Sequence, residues 1–332
     1  MRRQLGRATV IATAAGLFGV VVASAGGPDQ SVDQPATASA VAQRISPPGG
    51  PTTLGGCSVF PADNPWNTPV AGLPLRAGSA ATISRILSIK GQGPNLHPDF
   101  GENPDYGIPF VIVPASQPLV PISYDGAGDQ SDQGPMPIPL DAPIEGGGDG
   151  DSHVLVLQQG TCRLFELYDA QRTGDGWSAY SGAEFNLSTN ALRPLGWTSA
   201  DAAGLPILPG LVRYDEVASG VITHAIRMTF DETQDTYILP ATHEASSRTD
   251  ADLPPMGLRL RLSAGYDISH LTGQARVIAV ALQQYGVIVA DNGSNWYFQG
   301  APDPRWNDDD LDQLKSIPGS AFEVVDTGPA NP

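Results

Sequence analysis

Asp291, Asn292, Gly293, Ser294 and Asn295 follow the apolar run Val287–Ala290 without a break, and Trp296, Tyr297 and Phe298 come next. Polar side chains gathered where a buried strand ends sit on a rigid support beside an open end, which suits a binding or catalytic site. Read for chemistry, Asp291 is an acid or base, and Asn292, Asn295, Trp296 and Trp306 are candidate substrate contacts. The same Asp-Asn-Gly-Ser order is also good turn chemistry, so a plain hairpin competes with the site reading.

A second group is Asp149, Asp151 and His153 at the mouth of the run Val154–Leu157. If that strand returns through a tight loop at Gln159-Gly160, His153 falls opposite Glu166 and shares a face with Leu155, Leu157, Leu164 and Tyr168. A carboxylate within reach of a histidine orients it or raises its pKa, as general acid–base chemistry requires. A satisfied polar pair at a sheet end would leave the same pattern. In Val221–Phe230 the two-residue period puts His224 with Ile222, Ile226 and Met228, and Arg227 with Thr223 and Thr229. His224 thus points the way the core points, where a hydrogen-bonded core histidine competes with a catalytic one. His243 and Glu244 follow Pro240 at another strand end, which adds Glu244 to the candidate acids.

The acids and histidines lack the spacing of zinc or cupin sites, and no cofactor is expected. The Gly-rich acidic loop could hold Ca²⁺ through oxygen ligands, although the EF-hand order is absent. No G-x-S-x-G, P-loop or dinucleotide fingerprint occurs. Arg259 and Arg261 alternate with Leu258, Leu260 and Leu262, and a solvated face is expected for them.

Many short strand-like runs separated by the 31 Pro and 38 Gly must carry these groups, a pattern that predicts a mainly β protein, a jelly-roll-like sandwich with few short helices. Helical spacing is confined to Thr82–Lys90, Gly273–Tyr285 and Asp308–Lys315. The Gly-, Asp- and Pro-rich stretch Ala127–Ser152 reads as a site loop.

Met1–Ala25 has a basic start, a short apolar run and Ala23-Ser24-Ala25, the order of a secretory signal peptide, so a secreted protein is expected. Residues 26–56 are poor in large apolar side chains and read as a disordered linker, residues 57–326 as one globular domain and 327–332 as a flexible tail. The chain carries 18 Lys+Arg against 35 Asp+Glu, a net charge of −17, and loss of the three leader arginines would deepen it to −20. Such a charge repels nucleic acid and anionic membrane surfaces. Export makes a disulfide the expected state of Cys57 and Cys162.

His224-Ala-Ile-Arg227, Pro240-Ala-Thr-His243, Pro254-Pro-Met-Gly-Leu258, Tyr285-Gly-Val-Ile-Val-Ala-Asp-Asn-Gly-Ser294 and Gly300-Ala-Pro-Asp-Pro-Arg-Trp306 resemble a group of secreted bacterial β-rich proteins that share these motifs. The resemblance spans roughly the second half of the globular region and carries over no catalytic residue. The residues themselves point to a secreted glycan-active enzyme, foremost a glycoside hydrolase using paired carboxylates on a neutral or weakly charged polysaccharide. Asp151, Glu166, Glu244 and Asp291 are the candidate acids, with His153 and His224 beside them and Arg227 as a substrate contact. A non-catalytic carbohydrate-binding or cell-surface protein and a polysaccharide lyase are the alternatives. His153, Glu166, His224 and Asp291 are expected to converge on one cleft.

Overall fold

A computed structural model describes residues 51–331, so the expected signal peptide and most of the expected linker lie outside the described residues. Strand outweighs helix, 24% against 18%, in a single domain of several sheets, as the punctuated short runs predict. The largest sheet has six strands in the spatial order Phe322–Val324, Arg259–Leu262, Val287–Asn292, Ile226–Phe230, Tyr297–Gln299 and His97–Asp99. A four-stranded sheet runs Ser181–Asn186, Arg163–Tyr168, Val154–Gln158 and Phe110–Val113, and a three-stranded one joins Ile122–Tyr124, Trp177–Ala179 and Gln171–Arg172.

A jelly roll is built from antiparallel strands, and this arrangement does not show one. Ile226–Phe230 runs parallel to Val287–Asn292, and Tyr297–Gln299 runs parallel to His97–Asp99. Parallel neighbours need a long crossover, and between the first two strands that crossover contains the helix Gly273–Gln284. The helix buries Ala275, Ile278, Ala279, Ala281 and Leu282, the stripe its sequence period predicts. It ends beside Gly286, whose positive φ of 65° and whose missing Cβ, which would lie 2.1 Å from the Leu260 carbonyl, both require glycine. Ile226–Phe230 is buried along its whole length, as a strand covered on both faces must be.

The two large sheets share one core. Leu155, Leu157 and Leu164 join the cluster that holds Ile226, Met228 and Phe230, while Val154, Val156, Phe165 and Leu167 turn to a second cluster around Met136 and Trp177. The alternation in Val154–Gln158 therefore separates two buried faces rather than a core face from solvent.

Cys57 and Cys162 form the expected disulfide, with Cα atoms 5.4 Å apart. Arg259 and Arg261 are not on a solvated face. Arg259 donates to the carbonyls of Pro65 and Tyr285, and Arg261 to those of Val70, Ala71 and Leu73. These bonds staple an irregular N-terminal segment, whose backbone acceptors would otherwise lack partners, to the sheet. Order also begins before the expected domain boundary, because Thr53–Leu54 pairs with Cys57–Ser58 and Thr52 meets the Thr223 hydroxyl. At the other end Asn331 exchanges backbone hydrogen bonds with Tyr237, so the tail is tied down there.

Candidate active site

The Asp-Asn-Gly-Ser segment is not a hairpin turn. Val287–Asn292 and Tyr297–Gln299 flank Ile226–Phe230 on opposite sides, so Gly293–Trp296 crosses over the end of the strand between them. The crossing is close: a Cβ on Gly293 would lie 3.0 Å from the Thr229 side chain.

A bulge then decides where Asp291 points. Met228 pairs with Val289 but Thr229 pairs with Asp291, which leaves Ala290 as the extra residue. Without it Asp291 would pair with Phe230, whose side chain is in the core. With it Asp291 joins Thr229 and Arg227 on the opposite face, because a one-residue change of register reverses side-chain direction.

These three residues line a polar cavity of about 210 Å³ together with Asp99, Glu145, Asp151, His153, Asn292, Ser294, Tyr297 and Gln299. His153 enters just before the strand Val154–Gln158, and its Nδ1 lies 2.5 Å from Oε2 of Glu145 while its Nε2 meets the Ala200 carbonyl at 3.0 Å. Glu145 also accepts the His153 backbone N–H at 3.3 Å, and its own N–H bonds the His153 carbonyl at 2.9 Å. The Gly-rich loop thus closes on itself, turning through Gly146 and Gly147 at positive φ. Arg227 is buried in the cavity floor, paired with Asp201 at 2.8 and 3.2 Å and 3.5 Å from Asp291.

Burial opposes the charge on His153, yet the Glu145 carboxylate and its hydrogen bond raise the imidazole to about 9. Burial likewise works against ionised Glu145, but His153 overcomes it and holds the carboxyl below its usual range. Asp291 goes the other way: burial, reinforced by the Asp201 charge, raises it to about 8 despite Arg227 and His153. Burial also raises Asp99. The cavity therefore holds one carboxylate kept ionised and another kept protonated near neutral pH.

Asp151, His153, Arg227, Asp291 and Asn292 are brought together here, and the other expected site residues lie elsewhere. Glu166 pairs with Leu155, not His153, because the turn extends over Gln159–Cys162, and His153 lies beside Tyr168 instead, the rings tilted with centroids 5.4 Å apart. Its carboxylate accepts the backbone N–H groups of Ile207 and Leu208 in the core, and burial raises it to about 7 although those bonds pull it down. His224 precedes the strand, which begins only at Ile226, and binds Glu216 and Arg213 in a separate buried cluster. Glu244 does not line the cavity. Asn295 is buried and ties the Ile86 carbonyl to the Asp231 N–H, while Trp296 and Trp306 are core side chains, 0% and 3% exposed, rather than substrate surfaces.

Asp99, Asp201 and Gln299 carry no local signal. Asp99 and Gln299 meet only through the parallel pairing of their strands. Glu145 alone could have been found, since a loop of glycines between Glu145 and His153 is free to fold one onto the other. No group of His, Cys, Asp and Glu among the described residues has the arrangement of a metal site.

A larger groove of about 840 Å³ runs past Arg213, Tyr214 and Glu216. Its buried acid is unsuited to proton donation: burial would raise Glu216, but Arg213 and His224 hold it at about 2. The groove shares Pro109, Pro302 and Asp303 with an intermediate hollow of about 380 Å³. That hollow also contains Ile144, the residue before Glu145, but shares no lining residue with the cavity.

No family model matches the chain, and comparison with curated proteins and with solved structures found nothing similar.

Proposed function

We propose that the protein is a secreted glycan-active enzyme, a glycoside hydrolase. The observation that carries this reading is that Asp291 and Glu145 line one cavity while their environments push their pKa values in opposite directions, the usual basis for assigning an acid and a base. Asp291 is the general acid, protonated near neutral pH and ready to donate to a leaving oxygen. Glu145 is the base or nucleophile. Both of its bonds from His153 fall on Oε2, which leaves the lone pairs of Oε1 for a water or an anomeric carbon. His153 positions Glu145 and keeps it ionised, and the Asp201–Arg227 pair fixes the floor under Asp291.

The groove past Tyr214 and the hollow that shares Pro109 and Pro302 with it suit a polymer. Their walls include Pro104, Pro109, Pro143 and Pro302, rigid apolar surfaces against which sugar rings can lie. The Cys57–Cys162 bond fits an oxidising, extracellular setting, and no described helix is long and apolar enough to cross a membrane. A binding-only protein would draw on the same aromatics and polar turns without paired acids, and the burial of Trp296 and Trp306 removes two of those aromatics from any binding surface. A lyase acting on an acidic glycan would need Arg227, Arg259 and Arg261 to converge on it, and the last two are engaged with backbone carbonyls. Release of reducing ends across a panel of polysaccharides, with an ultraviolet reading for unsaturated products, tests the proposal.

A further inference from the structure

We propose that the cavity beside Asp291 binds a protonated amine, so that the glycan residue it takes is an amino sugar with a free ammonium group. The word glycan rests on the hydrolase reading; recognition of the amine stands on the cavity alone.

The cavity has an excess of negative and accepting groups. Asp99, Glu145 and Asp151, with Asp291 in its protonated form, line it against His153 and Arg227. Both cations are already engaged, His153 by Glu145 and Arg227 by Asp201, a carboxylate outside the lining. No cation is left for Asp99 or Asp151, neither of which is in an ion pair among the described residues. Gln299 supplies an independent indication. It is only 5% exposed, lines the cavity, and its Oε1 has no hydrogen-bond partner. A buried carbonyl oxygen without a donor is costly, and a ligand N–H or O–H would satisfy it. An ammonium group offers three donors and the missing charge together.

Size argues against a bare metal ion. A water occupies about 30 Å³, so a cavity of about 210 Å³ has room for a ring-sized group. Tyr297, stacked on His97 with centroids 4.1 Å apart, forms part of the wall and gives such a ring an apolar, aromatic neighbour. A lysine side chain would bring the same charge but would not fill a ring-sized space.

Titration calorimetry with the full chain tests this, at a pH where the amine is protonated, using a β-linked glucosamine oligomer, its N-acetylated counterpart and a glucose oligomer of equal length. The free-amine oligomer should bind at least about tenfold more tightly than either of the others. Gln299→Met and the more exposed Asp99→Asn should each reduce that preference while retaining the thermal midpoint within a few degrees. Equal or tighter binding of the acetylated or glucose oligomer overturns the inference, as does preferential binding of a lysine peptide. Calcium binding in the absence of glycan that Asp99→Asn abolishes would assign the cavity to a metal ion and also overturn it. Amine-selective binding without release of reducing ends would leave the inference standing and remove the hydrolase reading; hydrolysis confined to acetylated or neutral glycans would do the reverse.

Discussion

Asp291 lies opposite Thr229, not Phe230, and that one-residue offset moves its carboxyl from the hydrophobic core to the cavity containing Arg227 and His153. The offset comes from the bulge at Ala290, and the close crossing of Gly293 over Thr229 continues the chain past it. Bulges are a common way to re-aim a side chain beside a site.

The His153–Glu145 pair predicts a pH-dependent contribution to stability. The folded imidazole titrates near 9 rather than 6.5, so its stabilising effect is complete below about 6.5 and is lost as pH rises through about 9. Glu145→Gln removes the charge that raises His153 and leaves burial, which lowers it. Chemical denaturation should therefore show a stability gap between wild type and Glu145→Gln at about pH 6 that narrows by about pH 10. A gap independent of pH would mean that the pair is not ionised.

Asp201→Asn should act on two observables. Breaking a buried ion pair by removing one partner costs about 3–5 kcal/mol, here by leaving Arg227 with Asp291 alone. Removing the Asp201 charge also removes a repulsion that raises Asp291, so the Asp291 pKa must fall from about 8. Denaturant titration reads the first effect, and the alkaline limb of the activity profile, shifted to lower pH, reads the second.

Much of the fold was legible because its signals are local. Gly273–Gln284 shows its helical stripe directly, and the short apolar runs mark most of the strands. Asp151, His153, Arg227, Asp291 and Asn292 were accessible as polar groups at strand ends or on an alternating face. Glu166 was misplaced because the turn length, which sets the register, is not encoded in the alternation: the shift kept its face and changed its partner. His224 was misplaced because the alternation was extended through residues that are not strand. Trp296 stands among turn residues yet is buried, which its positive φ of 65° permits and no pattern announces. Asp99, Asp201 and Gln299 reach the site region through sheet order and packing, which period and composition do not specify.

The disulfide closes a separation of 105 residues, and in the chain-entropy model such a loop contributes up to ~4.7 kcal/mol. Thiol titration of the denatured, unreduced protein should find no free thiol, and reduction should lower the denaturation midpoint by an amount within that bound. Two free thiols would remove both expectations.

The most direct measurement compares wild type, Asp291→Asn and Glu145→Gln for release of reducing ends from a polysaccharide panel across a range of pH. Wild type should release them from at least one glycan, with an alkaline limb near pH 8 set by Asp291 and an acid limb set by Glu145. Asp291→Asn should lower kcat by about 10²–10⁴-fold and lose the alkaline limb. Undiminished release by both variants would contradict the account, as would wild-type protein that binds glycan and cleaves none of the panel.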